Sequence, residues 1–232
     1  MRINQYVAVA TGMSRRAADK AIARGRVSIN GQVASVGTEV ASNDTVTLDN
    51  RPIIHPGHIN VVTIMFNKPV GYVCSRRGQG SKTIYDLLPS ELHHLKPVGR
   101  LDKDSSGLLL LTNDGALAHE LTHPSFQKEK IYEVEIDKPL KAKDREKITK
   151  SGINIGDDRH SQFQLQQPVI SNQKSRKLLV PNSYFLVTLT EGRNRQIRRT
   201  FATLGYHVKQ LHRIAFGSYR LGQLESGNCK EI

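Results

Sequence analysis

The chain of 232 residues predicts an α+β protein in two parts, a small unit over residues 1–56 and a larger one over residues 57–232. Two observations carry that expectation. Strand and helix patterns both occur, but without the regular βαβ alternation that a parallel sheet requires. The stretch Arg51-Pro52-Ile53-Ile54-His55-Pro56-Gly57 has two prolines and a glycine and reads as a linker. There is no internal repeat and no low-complexity tract.

The elements follow in order. Ile3, Tyr6, Val7 and Ala10 fall at helical spacing, and Gly12 stops that helix. Ser14 can cap a second helix over Ser14–Arg24, ended by Gly25. Arg16, Lys20 and Arg24 lie four apart on one face of it, opposite Ala17, Ala18, Ala21 and Ile22. A hairpin follows, Val27-Ser28-Ile29 and Gln32-Val33-Ala34 around Asn30-Gly31, because both turn positions need positive φ. Further strands are expected at Val61–Phe66, Gly107–Thr112, Lys130–Ile136, Ser161–Gln166 and Ser183–Thr190. Helices are expected at Thr83–Leu88, Ala116–Leu121, Lys141–Lys150 and Asn194–Leu204, the last stopped by Gly205.

Composition narrows the partner. Lys and Arg number 34 against 21 Asp and Glu, a net charge of +13. That excess attracts a polyanion, and it divides as +3 and +10 between the two parts, so both are expected to touch it. Trp is absent and aromatics make up 6% of residues, which favours a partner held by phosphate contacts over one held by stacking on many rings. Cys74 and Cys229 are too few for a zinc quartet or a disulfide framework. The opening Met1-Arg2-Ile3-Asn4-Gln5-Tyr6 has no apolar secretion core. No apolar run reaches the roughly 20 residues that span a bilayer. The expectation is a cytoplasmic protein with no membrane partner, binding nucleic acid.

The stretch richest in chemistry is Pro97-Val98-Gly99-Arg100-Leu101-Asp102-Lys103-Asp104-Ser105-Ser106-Gly107, followed by Leu108–Leu111 and Thr112-Asn113-Asp114-Gly115. A polar loop lies there beside a strongly apolar strand. Arg100 and Lys103 flank Asp102, and opposite charge keeps a carboxylate ionised when it is partly desolvated. An ionised, shielded carboxylate is what nucleophilic catalysis by Asp requires. Spacing alone leaves a surface ion pair open as the alternative. In the same way Tyr132 reads as a core residue of its strand, and the Arg193–Arg199 run as a solvated basic helix. His119 and His123 stand at i,i+4 with no third metal ligand nearby, so no metal site is expected.

These residues resemble the signature of the bacterial ribosomal RNA pseudouridine synthases, in the branch that modifies single uridines of small- or large-subunit rRNA. That signature reads Gly-Arg-Leu-Asp-x-Asp-(Ser/Thr)-x-Gly, then Leu-Leu-Leu-Leu-Thr-Asn-Asp-Gly. Four more motifs stand in the family's order: Asn67-Lys68-Pro69-Val70-Gly71, Lys130-Ile131-Tyr132, Glu191-Gly192-Arg193-Asn194-Arg195-Gln196-Ile197-Arg198-Arg199 and Leu211-His212-Arg213-Ile214. One departure is Thr200, where the family usually has Met. The first 50 residues resemble the S4-type RNA-binding module.

The resemblance implies a mostly antiparallel or mixed sheet with flanking helices. It also implies an isomerase that breaks a uridine's glycosidic bond, turns the uracil and rejoins it through carbon, with no cofactor. Asp102 would be the nucleophile, Tyr132 would pack on the uracil, and Arg198 would ion-pair with Asp102. Leu211 would line the uracil pocket, and Arg100 would help to fill the gap left by the extruded base. Lys68, Lys130, Arg193 and Arg195 are expected to bind substrate. Arg15, Arg16, Lys20 and Arg24 are expected to meet RNA phosphates from the N-terminal module. The partner would be rRNA, with large-subunit rRNA favoured and a tRNA as a further substrate of some relatives, and the protein would act as a monomer. A ribosome-assembly factor of the same fold without catalysis is the alternative. A methyltransferase is disfavoured by the lack of a Gly-rich cofactor loop, and a metal-dependent nuclease by the scarcity of clustered carboxylates.

Overall fold

A computed structural model describes residues 1–54, 60–167 and 183–232. The chain divides into two units, Met1–Asn60 and Val61–Ile232. The expected boundary at 56/57 lies outside the described residues, as does the end of the linker (55–57). Arg51–Pro52, expected in that linker, instead form a short edge strand. Proline is tolerated there because an edge strand leaves one row of N–H groups unpaired.

In the first unit, helices α1 (Ile3–Thr11) and α2 (Arg15–Ala23) pack on a sheet of β1 (Val27–Ile29), β2 (Gln32–Val33), β3 (Val46–Leu48) and β4 (Arg51–Pro52), in the order β2-β1-β3-β4. The local signals read in the sequence hold. Gly12 is left-handed at φ 75°, and the Ser14 hydroxyl accepts the Ala17 N–H at 3.1 Å. Asn30 and Gly31 both have positive φ and set Ile29 opposite Gln32. Ala18, Ala21 and Ile22 are buried against Ile3, Val7, Val27 and Val46, which leaves Arg15, Arg16, Lys20 and Arg24 exposed.

The second unit contains β5 (Thr63–Lys68), β6 (Lys96–Pro97), β7 (Ser106–Thr112), α3 (Gly115–Thr122), β8 (Lys130–Ile136), α4 (Ala142–Glu146), β9 (Gln164–Gln166), β10 (Tyr184–Leu189), α5 (Gln196–Thr203), β11 (Val208–Phe216), β12 (Tyr219–Arg220) and β13 (Cys229–Glu231). Among the described residues these strands form one sheet in the order β13-β5-β7-β11-β8-β10-β9, with β12 added to β11 and β6 to β7. The β7/β11 contact is parallel and the other pairings are antiparallel, giving the mixed α+β architecture that was expected. Strand β7 is buried on both faces, which explains its unbroken leucine run. Leu109 and Leu111 pack with Ile64 and Phe66, and Leu108 and Leu110 with Val98, Leu121 and Phe216.

Several elements differ from expectation for local reasons. Thr83–Leu88 makes only a 3₁₀ turn, Ile84–Asp86, closed by a Thr83–Asp86 capping box; Pro89 disfavours helical geometry in the residue before it. The helix expected over Lys141–Lys150 is α only to Glu146 and then widens into a π turn, Lys147–Ser151. Helix α5 starts at Gln196 because Arg195 is left-handed at φ 47°. The strand expected from Ser161 begins at Gln164. The longest strand, β11, and the last, β13, were not anticipated. In β11, Lys209, Gln210 and His212 interrupt the apolar alternation that marks a strand.

One glycine is demanded by the crossing of β7 and β11. Gly107 has φ 104°, and a Cβ there would stand 2.3 Å from the Arg213 carbonyl oxygen and 2.6 Å from its nitrogen. Backbone atoms cannot yield as a flexible side chain can. Gly107→Ala is therefore expected to destabilise the second unit by about 2 kcal/mol or more, and a denaturant midpoint close to that of the parent would contradict this reading.

Candidate active site

The loop that carries Asp102 enters β7 and is held from below by backbone-directed contacts. Lys68, the last residue of β5, is fully buried. Its Nζ donates to the carbonyls of Pro69 (3.0 Å), Asp102 (3.1 Å) and Ser105 (2.7 Å). Burial pushes its ammonium down from the usual lysine range, opposed by the nearby Cys74, Asp102 and Asp104. The Gly71 N–H donates to the Lys103 carbonyl at 2.7 Å, and the Leu101 N–H to Cys74 Sγ at 3.4 Å. Lys68 thus has no donor left for substrate. The expectation that it binds substrate is corrected: all three ammonium donors are spent on carbonyls of the chain itself, so Lys68 holds the loop.

Around the Asp102 carboxylate the charges are paired differently from the expectation. Arg195 Nη1 lies 3.7 Å from Asp102 Oδ2, and the same guanidinium grips Asp104 with two bonds of 2.9 and 2.8 Å. Arg198, expected to pair with Asp102, instead donates Nη2 to the Asp104 carbonyl (2.6 Å) and Nη1 to the Val208 carbonyl (2.8 Å). Its Nε stands 3.3 Å from Asp104 Oδ2, without hydrogen-bond alignment. The left-handed turn at Arg195 explains the exchange, since it brings residue 195 to the loop ahead of the helix and leaves 198 in the first turn, its side chain largely covered and bonded to the start of β11. The hydrogen bond from Arg195 holds the Asp104 carboxyl below the usual carboxylate range. Asp104 therefore gathers the two arginines next to Asp102, which keeps about a third of its side chain exposed.

A cavity of about 350 Å³ opens over Asp102, and Tyr132, Leu211, Arg100, Lys130, Arg193 and Arg195 also line it. That volume suits a small-ligand site. Tyr132 on β8 and Leu211 on β11 are buried residues of neighbouring antiparallel strands. Arg193 reaches the cavity, but its guanidinium is engaged by the carbonyls of Arg159 and His160 and by Glu191. Its own N–H lies 3.3 Å from Gln196 Oε1, so the backbone at the start of α5 is partly capped from within the chain. The stretch Arg15–Arg24 belongs to the first unit. His119 and His123 stack at 4.8 Å between ring centroids, with Phe126 edge-on to both. Two cavity residues that the sequence reading left without a role are Arg213 and Phe216 of β11. The available signal was an arginine two residues from Leu211 and two from Ala215, an inward position in a strand.

A basic chain that sets a carboxylate, a phenol and arginines around a cavity of this size describes an enzyme acting on a nucleic-acid base. The comparisons with known proteins make that specific. Residues 62–203 match the model of the RNA pseudouridylate synthase family, and residues 1–46 match the S4 domain. The chain is 34% identical to an uncharacterized RNA pseudouridine synthase of Aquifex aeolicus, covering all of this chain and 90% of that one. It is 29% identical to ribosomal large subunit pseudouridine synthase B of Bacillus subtilis, covering 100% and 91%. It is 32% identical to the dual-specificity RNA pseudouridine synthase RluF of Escherichia coli K12, covering 100% and 75%. A crystal structure of a pseudouridylate synthase superposes with a TM-score of 0.68 at 30% identity, covering 100% of this chain and 96% of the other. The chain belongs to the RNA pseudouridylate synthase family. Among the described residues no helix is long and apolar enough to cross a membrane.

Proposed function

We propose that this protein converts a specific uridine of ribosomal RNA, of the large subunit in preference to the small, into pseudouridine, with Asp102 as the nucleophile. The observation that carries the reading is the meeting of Asp102, Tyr132 and Leu211 in one cavity, with Arg195 beside the carboxylate. A base inside a helix hides the atoms to be attacked, so the uridine is extruded at a cost of roughly a few kcal/mol. In this reading the Tyr132 ring and Leu211 receive the flipped uracil, and Arg100 helps to fill the vacated stack. Arg195, in place of Arg198, supplies the cation beside the Asp102 carboxylate. Lys130 and Arg193 contribute to substrate binding at the cavity wall. The large-subunit preference rests on relatives bearing that name. Action as a monomer in the cytoplasm belongs to the same reading.

Pseudouridine mapping across rRNA and tRNA from cells with and without the gene tests it. The expected result is one rRNA uridine left unmodified in the deleted strain. Loss confined to a tRNA would overturn the substrate. No change at any position would favour the assembly-factor alternative.

The N-terminal unit is proposed to bind RNA phosphates through Arg15, Arg16, Lys20 and Arg24, all exposed on or at the end of α2. Arg16→Glu with Lys20→Glu is expected to weaken substrate binding and to flatten the slope of log K against log salt by about 1.5, if two phosphate contacts are lost. An unchanged slope would remove that helix from the interface.

A further inference from the structure

The wall of the cavity contains a cation without a counter-ion. Arg213 is only 2% exposed, yet it lines the same cavity as Asp102, and its position on β11 is directly opposite Tyr132 on β8. Its Nε donates to the Leu108 carbonyl at 2.8 Å, which fixes the plane of the guanidinium, and its central carbon sits 4.8 Å from the Phe216 ring centroid. Among the described residues that is the guanidinium's only hydrogen bond, Nη2 is buried with no partner, and no carboxylate lies within 4 Å. An unsatisfied donor on a charged group is a costly thing to bury, at about 1–3 kcal/mol or more. A second cation, Lys130, stands 5.2 Å from the same ring; burial and then Arg213 push its ammonium down, while Glu191 opposes this.

We propose that the Arg213 guanidinium donates through Nη1, the edge nitrogen that is not sealed off, to a carbonyl oxygen of the flipped uracil and stabilises the negative charge that gathers there as the glycosidic bond breaks. This rests on the reading of the cavity as the uridine site. When the C1′–N1 bond breaks with its electron pair passing to the base, the charge spreads over N1 and the two carbonyl oxygens. An Asp102 carboxylate oxygen bonds to C1′ in place of N1, the ring turns, C5 bonds to C1′ as the Asp102 oxygen leaves with its electron pair, the C5 proton departs, and N1 takes up a proton. A fixed, desolvated cation at a carbonyl oxygen lowers the barrier to the first step, because its field is undiluted by water and its position needs no rearrangement. A backbone phosphate is the less suitable occupant. Arg213 is sunk beside Tyr132 and Leu211, which would contact the base, whereas the exposed Arg100 and Arg159 line the same cavity and suit phosphates.

The test joins a side-chain change to an atom change in the substrate. An rRNA fragment bearing the mapped uridine is prepared as uridine, 2-thiouridine and 4-thiouridine, sulfur being the weaker acceptor. With uridine, Arg213→Met is expected to slow single-turnover conversion about 10²-fold, leave RNA affinity within about threefold, and regain part of the rate as Arg213→Lys. At one of the two positions, sulfur should slow the parent enzyme and leave Arg213→Met no slower than it already is. A full rate in Arg213→Met, or equal sulfur penalties in parent and variant at both positions, overturns the proposal. Should Arg213→Met fail to fold, as judged by its melting curve, the same comparison with Arg213→Lys decides. If the parent itself makes no pseudouridine, the functional reading fails. If the parent is active and Arg213 is dispensable, this inference alone fails.

Discussion

Asp102→Asn is expected to abolish pseudouridine formation, with a loss of at least about 10⁴-fold in single-turnover rate, while RNA affinity stays within about threefold. The two side chains have nearly the same shape. The loop at this position is held through its backbone, by Lys68 on the residue 102 carbonyl, so it does not depend on the carboxylate. Affinity is dominated by Lys and Arg contacts to phosphates far more numerous than one carboxylate. An amide retains the geometry and loses the nucleophile. Residual conversion near the parent rate on an rRNA fragment would end the assignment of Asp102. A large loss of affinity would instead point to a structural role for its pairing with Arg195.

Lys68→Met is expected to act on stability and rate together. Its ammonium gathers three carbonyls from two segments of the chain, and hydrogen bonds to a charged group contribute about 1.5–3 kcal/mol each. Desolvating the ammonium offsets much of that sum, so a net loss of about 3 kcal/mol is expected. For a chain of this size that corresponds to about 6–12 °C in Tm. The freed loop should also misplace Asp102, and a shift of about 1 Å in a reacting group costs on the order of 10²-fold in rate. The discriminating readout is KM: a substrate-binding lysine would raise it, whereas a positioning lysine lowers kcat and Tm with KM nearly unchanged. A raised KM at unchanged Tm would restore Lys68 to the substrate.

Much of the fold was legible because its signals are local. The Ser14 cap, the Asn30-Gly31 turn and the Leu108–Leu111 run each report chemistry within a few residues, and each element formed where it was expected. The stretch Val208–Phe216 was illegible as a strand because four of its residues, Lys209, Gln210, His212 and Arg213, are polar and break the apolar alternation. His212, for example, meets Ser106 across the β7/β11 contact at 2.8 Å between ring nitrogen and hydroxyl. In the site, Asp102, Tyr132 and Leu211 were named from motifs and do share a cavity. Lys68, Arg195 and Arg198 sat in the right motifs with different partners, since a motif records that a cation is present and not where its stem leads.

The sequence by itself determined the α+β class, the basic character, the order of motifs and the membership of a family, because these depend on residue type, short-range spacing and charge. Only the tertiary structure decided which cation faces which oxygen. Arg195 pairs with Asp102 and Asp104 across more than ninety residues of chain, and Arg213 is sealed against Leu108 by a parallel strand contact that only Gly107 permits. Such pairings come from the packing of β5, β7, β8 and β11 into one sheet. Burial there turns Lys68 into a loop anchor and Arg213 into an unpaired donor, while the more exposed Arg195 meets its carboxylates through the left-handed turn before α5, and no spacing along the chain encodes the difference.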